Sequence, residues 1–231
     1  MTTTTTTNTP AMYQFHQAAG GQGTTTCAVG VALLHADQGR KVLFLSDKIG
    51  KVEEIGASRW MGTPGSNQQT ARVTFVNSLG GGSLVAAAGV PVLAADRYEE
   101  YKTLYDVIVT DGTVVTDGYR LAMGNDRRAR KNVWCVMGPG YSELSKLHRR
   151  LEEGGGRHAD YVLVTSQPDR SLGVKDVTAT LGARVGEVVG LPWEPAVFRN
   201  MDAGLVEKLT RTQWGRVLGQ TFAWQDMKVP G

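Results

Sequence analysis

Hydrophobic positions come in short, dense runs separated by polar, glycine-rich stretches. MYQFHQ, from Met12, reads as a short strand, and AAGGQGTTT after it as a glycine-rich turn. CAVGVALLHADQG, from Cys27, reads as a buried helix that ends near Gly39. KVLFLS, Lys41 to Ser46, is a continuous apolar run of the kind that forms a strand buried on both faces. Residues 48 to 72 are polar and glycine-rich and carry no clear period. VTFVNSL and SLVAAAG flank Gly80, Gly81 and Gly82, which predicts a hairpin or meander. RYEEYKTL, from Arg97, predicts a helix, and DVIVTD, Asp106 to Asp111, another buried strand. GYRLAMGNDRR predicts a helix and NVWCVMG, from Asn132, a strand. In YSELSKLHRRLEE, Leu144, Leu147 and Leu151 share one face of an amphipathic helix. YVLVTS, from Tyr161, predicts a strand, SLGVKDVTATLG a helix, and ARVGEVVGLPW a last strand. AGLVEKL and QWGRVLGQTF predict closing helices. Strands that alternate with helices predict an α/β fold: a mainly parallel sheet with helices on both faces.

Composition narrows the picture. The chain has 231 residues, 41% hydrophobic and 20% charged, enough to bury the core of one large domain. No composition break or internal repeat divides it. The threonine homopolymer at Thr2 to Thr7 predicts a disordered tail over residues 1–11, with one domain over 12–231. No apolar run approaches the length of a membrane span, and the first residues lack the basic and apolar regions of a signal peptide. With only two cysteines, Cys27 and Cys135, no disulfide framework is available, and a cytoplasmic setting is expected. A net charge of +3 does not by itself imply nucleic acid. The 29 glycines predict many tight turns and close backbone approaches.

The turn from Ala18 to Thr26 carries the candidate chemistry. Strand, glycine turn, helix is an anion-binding arrangement, because free N–H groups and the helix dipole both point at the ligand. Three readings are open. A P-loop of the standard pattern would place its second glycine at Gly23 and its magnesium hydroxyl at Thr25, but position 24 is threonine, not lysine, and the first glycine would be Ala18. A dinucleotide turn would use Gly21 and Gly23, with Asp47 on the ribose, yet Thr26 is neither glycine nor alanine. The third reading is a turn that merely closes a strand–helix unit.

GGQGTTT, with the glycines Gly20, Gly21 and Gly23 and the hydroxyls Thr25 and Thr26, resembles the deviant P-loop of the ParA/MinD-like ATPases. The resemblance continues along the chain. KVLFLS is similar to that family's second strand, and YDVIVTDG to its Walker B strand, with Asp111 as the terminal acid. NVWCVMGPGYSELSKLHRRLE resembles the strand and helix that follow. LPWEPAVFRNMDAG, from Leu191, resembles the loop near the adenine, as actinobacterial members carry it. The resemblance implies a P-loop NTPase-like three-layer sandwich. It implies ATP or ADP against Gly20, Gly21, Gln22, Gly23, Thr24, Thr25, Thr26, Pro192 and Trp193. It also implies Mg²⁺ at Thr25 and Asp111, with Asp111 and Asp47 as catalytic candidates.

The departures from the pattern matter as much. Ala19 and Thr24 stand where the family carries its two lysines, the first of which reaches the partner's nucleotide across a dimer. Ser46 ends the second strand where an acid usually stands, and Asp47 and Lys48 follow. Gly112, Thr113 and Val114 replace the usual proline pair. A charged hydrogen bond is worth about 1.5–3 kcal/mol, so the absence of two implies weak binding and no efficient hydrolysis. The resemblance thus implies a degenerate member that serves as a binding or regulatory module in DNA partition, positioning or complex assembly. It would work with a protein partner, and any homodimer would not be gated by ATP. The alternatives are an active ATPase rescued by Lys48, Lys51 and the basic run, or a dinucleotide-binding enzyme.

Other features change the picture less. His16, His35, His148 and His158 show no ligand spacing with the cysteines, and Cys27 and Cys135 read as small core residues. Arg127, Arg128, Arg130 and Lys131 form a compact basic run, read either as a solvated loop end or as a DNA-backbone contact. Trp214, Val217, Leu218 and Phe222 share one helical face. Their weakly basic surroundings favour core or partner packing over a membrane surface.

Overall fold

The computed structural model describes residues 10–46, 61–62, 73–77, 101–112, 130–153, 159–169 and 172–223. The threonine tail, Asp47, Lys48, Lys51, Gly80 to Gly82, SLVAAAG, Arg127, Arg128, His158 and the expected helix GYRLAMGNDRR lie outside them. The strands are β1 Ala11–Gln17, β2 Val42–Ser46, β3 Met61–Gly62, β4 Val73–Asn77, β5 Val107–Asp111, β6 Arg130–Met137, β7 Ala159–Thr165 and β8 Val185–Leu191. They form one eight-stranded sheet in the order β3-β4-β2-β5-β1-β6-β7-β8. Every pairing is parallel, which is the α/β architecture the apolar runs predict.

Period-two alternation assigns the two faces of the sheet. Tyr13, Phe15, Phe44, Val109, Cys135 and Leu163 enter one apolar cluster. Trp134, Val136, Val162 and Val164 enter the other, on the opposite face. Helix α1, Thr24–Asp37, fills the first cluster and is buried at every position from Cys27 to Ala36. Helix α2, Tyr141–Glu153, covers the second with Leu144, Leu147 and Leu151, as its spacing predicts. Helix α3, Val174–Leu181, adds Val177 and Leu181 to the same layer.

After β8 the chain forms α4, Pro195–Asp202, a 3-10 turn over Val206–Arg211, and the short helix α5, Gln213–Leu218, which runs into a π turn. Of AGLVEKL, only Val206 to Leu209 are helical, in that 3-10 segment rather than an α-helix. Trp214, Leu218 and Phe222 are 3%, 0% and 2% exposed. Trp214 lies over Gly30 of α1, where a Cβ would stand 2.8 Å from its ring. The Tyr13 hydroxyl donates to the Phe222 carbonyl at 2.9 Å, and the Phe222 ring meets Tyr13 and Tyr161 edge-on. This apolar face is therefore inside the molecule, and Trp214 is not available to hold a second copy.

One further expectation is corrected, and one lies outside the described residues. β4 lies parallel to β2 and β3, and the SLVAAAG arm of the expected hairpin or meander is outside the described residues. β6 begins at Arg130, two residues before the predicted strand, so Arg130 and Lys131 pair with Met12 and Tyr13 and do not form a loop end.

Candidate functional site

In a parallel sheet the strand ends on one side open together, and a crevice forms where connections diverge. β1 sits between β5 and β6, and the glycine turn leaves β1 at that edge. Gly21 and Gly23 have φ of 74° and 72°, in the left-handed region that glycine adopts without cost. Gly23 caps α1, and its carbonyl accepts the Cys27 N–H at 2.9 Å. The earlier N–H groups of the first helical turn have no carbonyl behind them within the helix. The result is a concave donor surface at a positive helix end.

The turn is tied to its surroundings. The Gln22 side-chain oxygen accepts the Met137 N–H at 2.9 Å, at the end of β6. Its amide nitrogen approaches the Gly20 carbonyl at 3.4 Å. The Met137 methyl lies 2.8 Å from the position a Cβ on Gly23 would take. Thr24, in the lysine position, is 3% exposed and lies beside the Cys135 thiol. Burial pushes that thiol well above its ordinary value, and Cys27 and Asp111 push it in the same direction. Cys27 and Cys135 are both buried, as their reading as core residues requires.

Thr25 and Asp111 come together as expected: the Thr25 hydroxyl donates to Asp111 Oδ2 at 2.8 Å. The Ser46 hydroxyl donates to the same oxygen at 3.2 Å. Register explains the contact, since Ser46 and Asp111 are direct partners at the ends of β2 and β5. Ser46 and Asp111 are both fully buried. A hydroxyl and a carboxylate in contact form a hard oxygen donor set, which fits Mg²⁺. Thr25 and Asp111 are the residues that would hold it.

Beside the turn lies a pocket lined by Thr26, Cys27, Met137, Thr165, Pro192, Glu194, Phe198 and Met201, among others. Its volume accessible to water is about 90 Å³, and most of its wall is apolar. Pro192 lines it. Trp193 is not among its lining residues; its ring centroid lies 4.5 Å from that of Phe198, which is one of them. Glu194 Oε2 accepts the Trp214 N–H at 3.0 Å, which holds the loop after β8 against α5. Met137, Phe198 and Met201 carry no signal in the spacing of residues. The position of Met137 at the end of a strand on the turn's edge is the one available hint. Arg130 and Lys131 begin β6, whose other end reaches the turn, so these two residues and the turn lie at opposite ends of that strand.

No protein-family model and no curated protein matches the chain. Solved structures do. The MinD cell division protein of Aquifex aeolicus is 18% identical, with 90% of this chain and 92% of that chain covered and a TM-score of 0.59. The septum site-determining protein MinD of Pyrococcus horikoshii, complexed with Mg-ADP, is 12% identical, with 96% and 100% covered and a TM-score of 0.63. A ParA family ATPase of Chlorobium tepidum is 12% identical, with 94% and 98% covered and a TM-score of 0.61. The fold is thus that of the MinD and ParA structures. Among the described residues, no helix is long and apolar enough to cross a membrane.

Proposed function

We propose that the chain is a ParA/MinD-like protein with a degenerate P-loop, a nucleotide-binding or regulatory module that does not hydrolyse ATP efficiently. One observation carries this reading: the Thr25 hydroxyl meets the Asp111 carboxylate beside a turn with positive φ at Gly21 and Gly23, while Ala19 and Thr24 occupy the positions where the resembled family has lysine. Backbone N–H groups and Thr25 are what this chain offers the phosphates. Bound Mg²⁺ would supply a cation next to them. Thr25 and Asp111 would hold it, and Ser46 donates a hydrogen bond to the same Asp111 carboxylate. Transition-state charge on a transferring phosphoryl group needs fixed cations, and a hydrogen bond from each is worth about 1.5–3 kcal/mol. Without two such bonds the affinity is lower by about a hundredfold or more.

The role that fits is DNA partition, positioning or assembly of a larger complex, through a protein partner. An Aquifex aeolicus structure with the same fold is a MinC:MinD cell division protein complex, which supports a partner of that general kind. DNA contact through Arg127, Arg128, Arg130 and Lys131 belongs to the same proposal, as does a cytoplasmic setting. A phosphate-release assay with ATP and Mg²⁺ tests it. The expected result is release no faster than from the Asp111→Ala variant. Turnover that falls with Lys48→Ala or Lys51→Ala would instead establish an active ATPase with substituted cations.

A further inference from the structure

The start of α1 meets the end of β6 through several contacts at once. Gln22 accepts the Met137 N–H, and the Met137 methyl lies over Gly23. Cys135 stands two residues before Met137 on β6, so both side chains point to the α1 face of the sheet. Thr24 and Cys27 are three residues apart, share one face of α1, and both lie against the Cys135 thiol. Two thiols therefore interact directly across this junction, within one apolar cluster. They are the only cysteines of the chain, brought together from distant segments by the fold. Their access differs. Cys27 lines the pocket beside the turn, whose volume accessible to water of about 90 Å³ admits a molecule the size of hydrogen peroxide. Cys135 is not among the lining residues and is 1% exposed. A reagent in the pocket meets Cys27 first, with Cys135 behind it.

We propose that Cys27 and Cys135 form a reversible disulfide when a hydroperoxide enters the pocket, with Cys27 oxidised first and Cys135 resolving it. In the first step the Cys27 sulfur attacks one oxygen of hydrogen peroxide. The S–O bond forms, the O–O bond breaks, and the other oxygen leaves as water with the Cys27 thiol proton. In the second step the Cys135 sulfur attacks the sulfenic sulfur of Cys27. The S–S bond forms, the S–O bond breaks, and a second water leaves with the Cys135 proton. The two thiols lose two electrons in all and the peroxide gains them. In a reducing compartment a disulfide of this kind is transient and serves redox sensing. The crosslink joins the first turn of α1 to β6 two residues from Met137, and so fixes the junction that already holds the glycine turn.

The test exposes the full reduced chain, at high dilution, to hydrogen peroxide and removes the excess with catalase. Free thiols are counted by alkylation in denaturant, and the products are mapped by peptide mass spectrometry. The expected result is loss of both thiols in a monomeric chain, a linked Cys27–Cys135 peptide, and full recovery of the thiols with dithiothreitol. Cys135→Ala is expected to stop at a sulfenic acid on Cys27, captured by dimedone, and Cys27→Ala to leave Cys135 unreacted over the same exposure. The oxidised chain is expected to melt higher than the reduced one by about 5 °C or more, because closing a loop of about 100 residues restricts the unfolded chain. Retention of both thiols, a disulfide formed only between chains, or a dimedone adduct on Cys135 with Cys27 untouched would overturn the proposal. An oxidised chain that melts at or below the reduced one would overturn it as well, since the native contact would then not accommodate the bond.

Discussion

Gly23 carries two constraints at once. Its φ is 72°, and a Cβ there would stand 2.8 Å from the Met137 methyl. A β-branched side chain in that conformation costs about 1–3 kcal/mol before any clash. Gly23→Val is expected to lower the melting temperature and to abolish nucleotide binding, measured by thermal unfolding and calorimetry. Unchanged affinity would contradict the P-loop reading. Thr24 poses the converse question. It is the first residue of α1 and is 3% exposed, so a lysine there must thread its chain out past the turn to reach a phosphate. Thr24→Lys is expected to raise ATP affinity tenfold or more, about 1.4 kcal/mol. No gain in the same titration would mean that the rest of the site has diverged as well. Much of this site is legible in the chain: the glycines, Thr25 and Asp111 stand out by type and order. The Ser46 bond to Asp111 does not, because it follows from the pairing of β2 with β5 rather than from local spacing. The Gln22 tie to Met137 joins residues 115 positions apart, and nothing in either neighbourhood foretells it.

At the level of elements, burial follows hydrophobic period closely. Helix α1 is buried at every position from Cys27 to Ala36, nearly all of them apolar; α2 buries a stripe and exposes most of the rest. Leu147 is 0% exposed at the centre of that stripe. Leu147→Ala is expected to cost about 2–5 kcal/mol through reduced burial and a residual cavity, read from denaturant unfolding. A destabilisation too small to resolve in that experiment would contradict the packing of α2 on the sheet. Local pattern says less about which strand pairs with which. VTFVN has the look of one arm of a hairpin, since nearby runs and a glycine turn invite that pairing. Its described pairing is parallel to β2, a partner that no local pattern names, because parallel strands are joined by long crossovers. The start of β6 is hidden for a related reason. Charged Arg130 and Lys131 do not look like a strand, yet main-chain pairing with β1 extends to them.

For the whole molecule, the C-terminal segment decides what surface remains for association. Trp214, Leu218 and Phe222 close the core over α1, and the Trp214 N–H is held by Glu194. An apolar helical face in the sequence cannot by itself distinguish core from interface, and here the core claims it. A switch gated by nucleotide requires a ligand that binds one assembly state better than the other. In the resembled family a lysine crosses between protomers to supply that difference; Ala19 has no atom beyond Cβ to reach across. The central claim is that this fold keeps the form of a nucleotide site without the nucleotide-driven switch. Sedimentation velocity at a fixed protein concentration, without nucleotide and with millimolar ATP and Mg²⁺, tests it most directly. The account predicts the same distribution of monomer and dimer in both samples, whichever species dominates. A monomer that becomes a dimer only when ATP is added would contradict it.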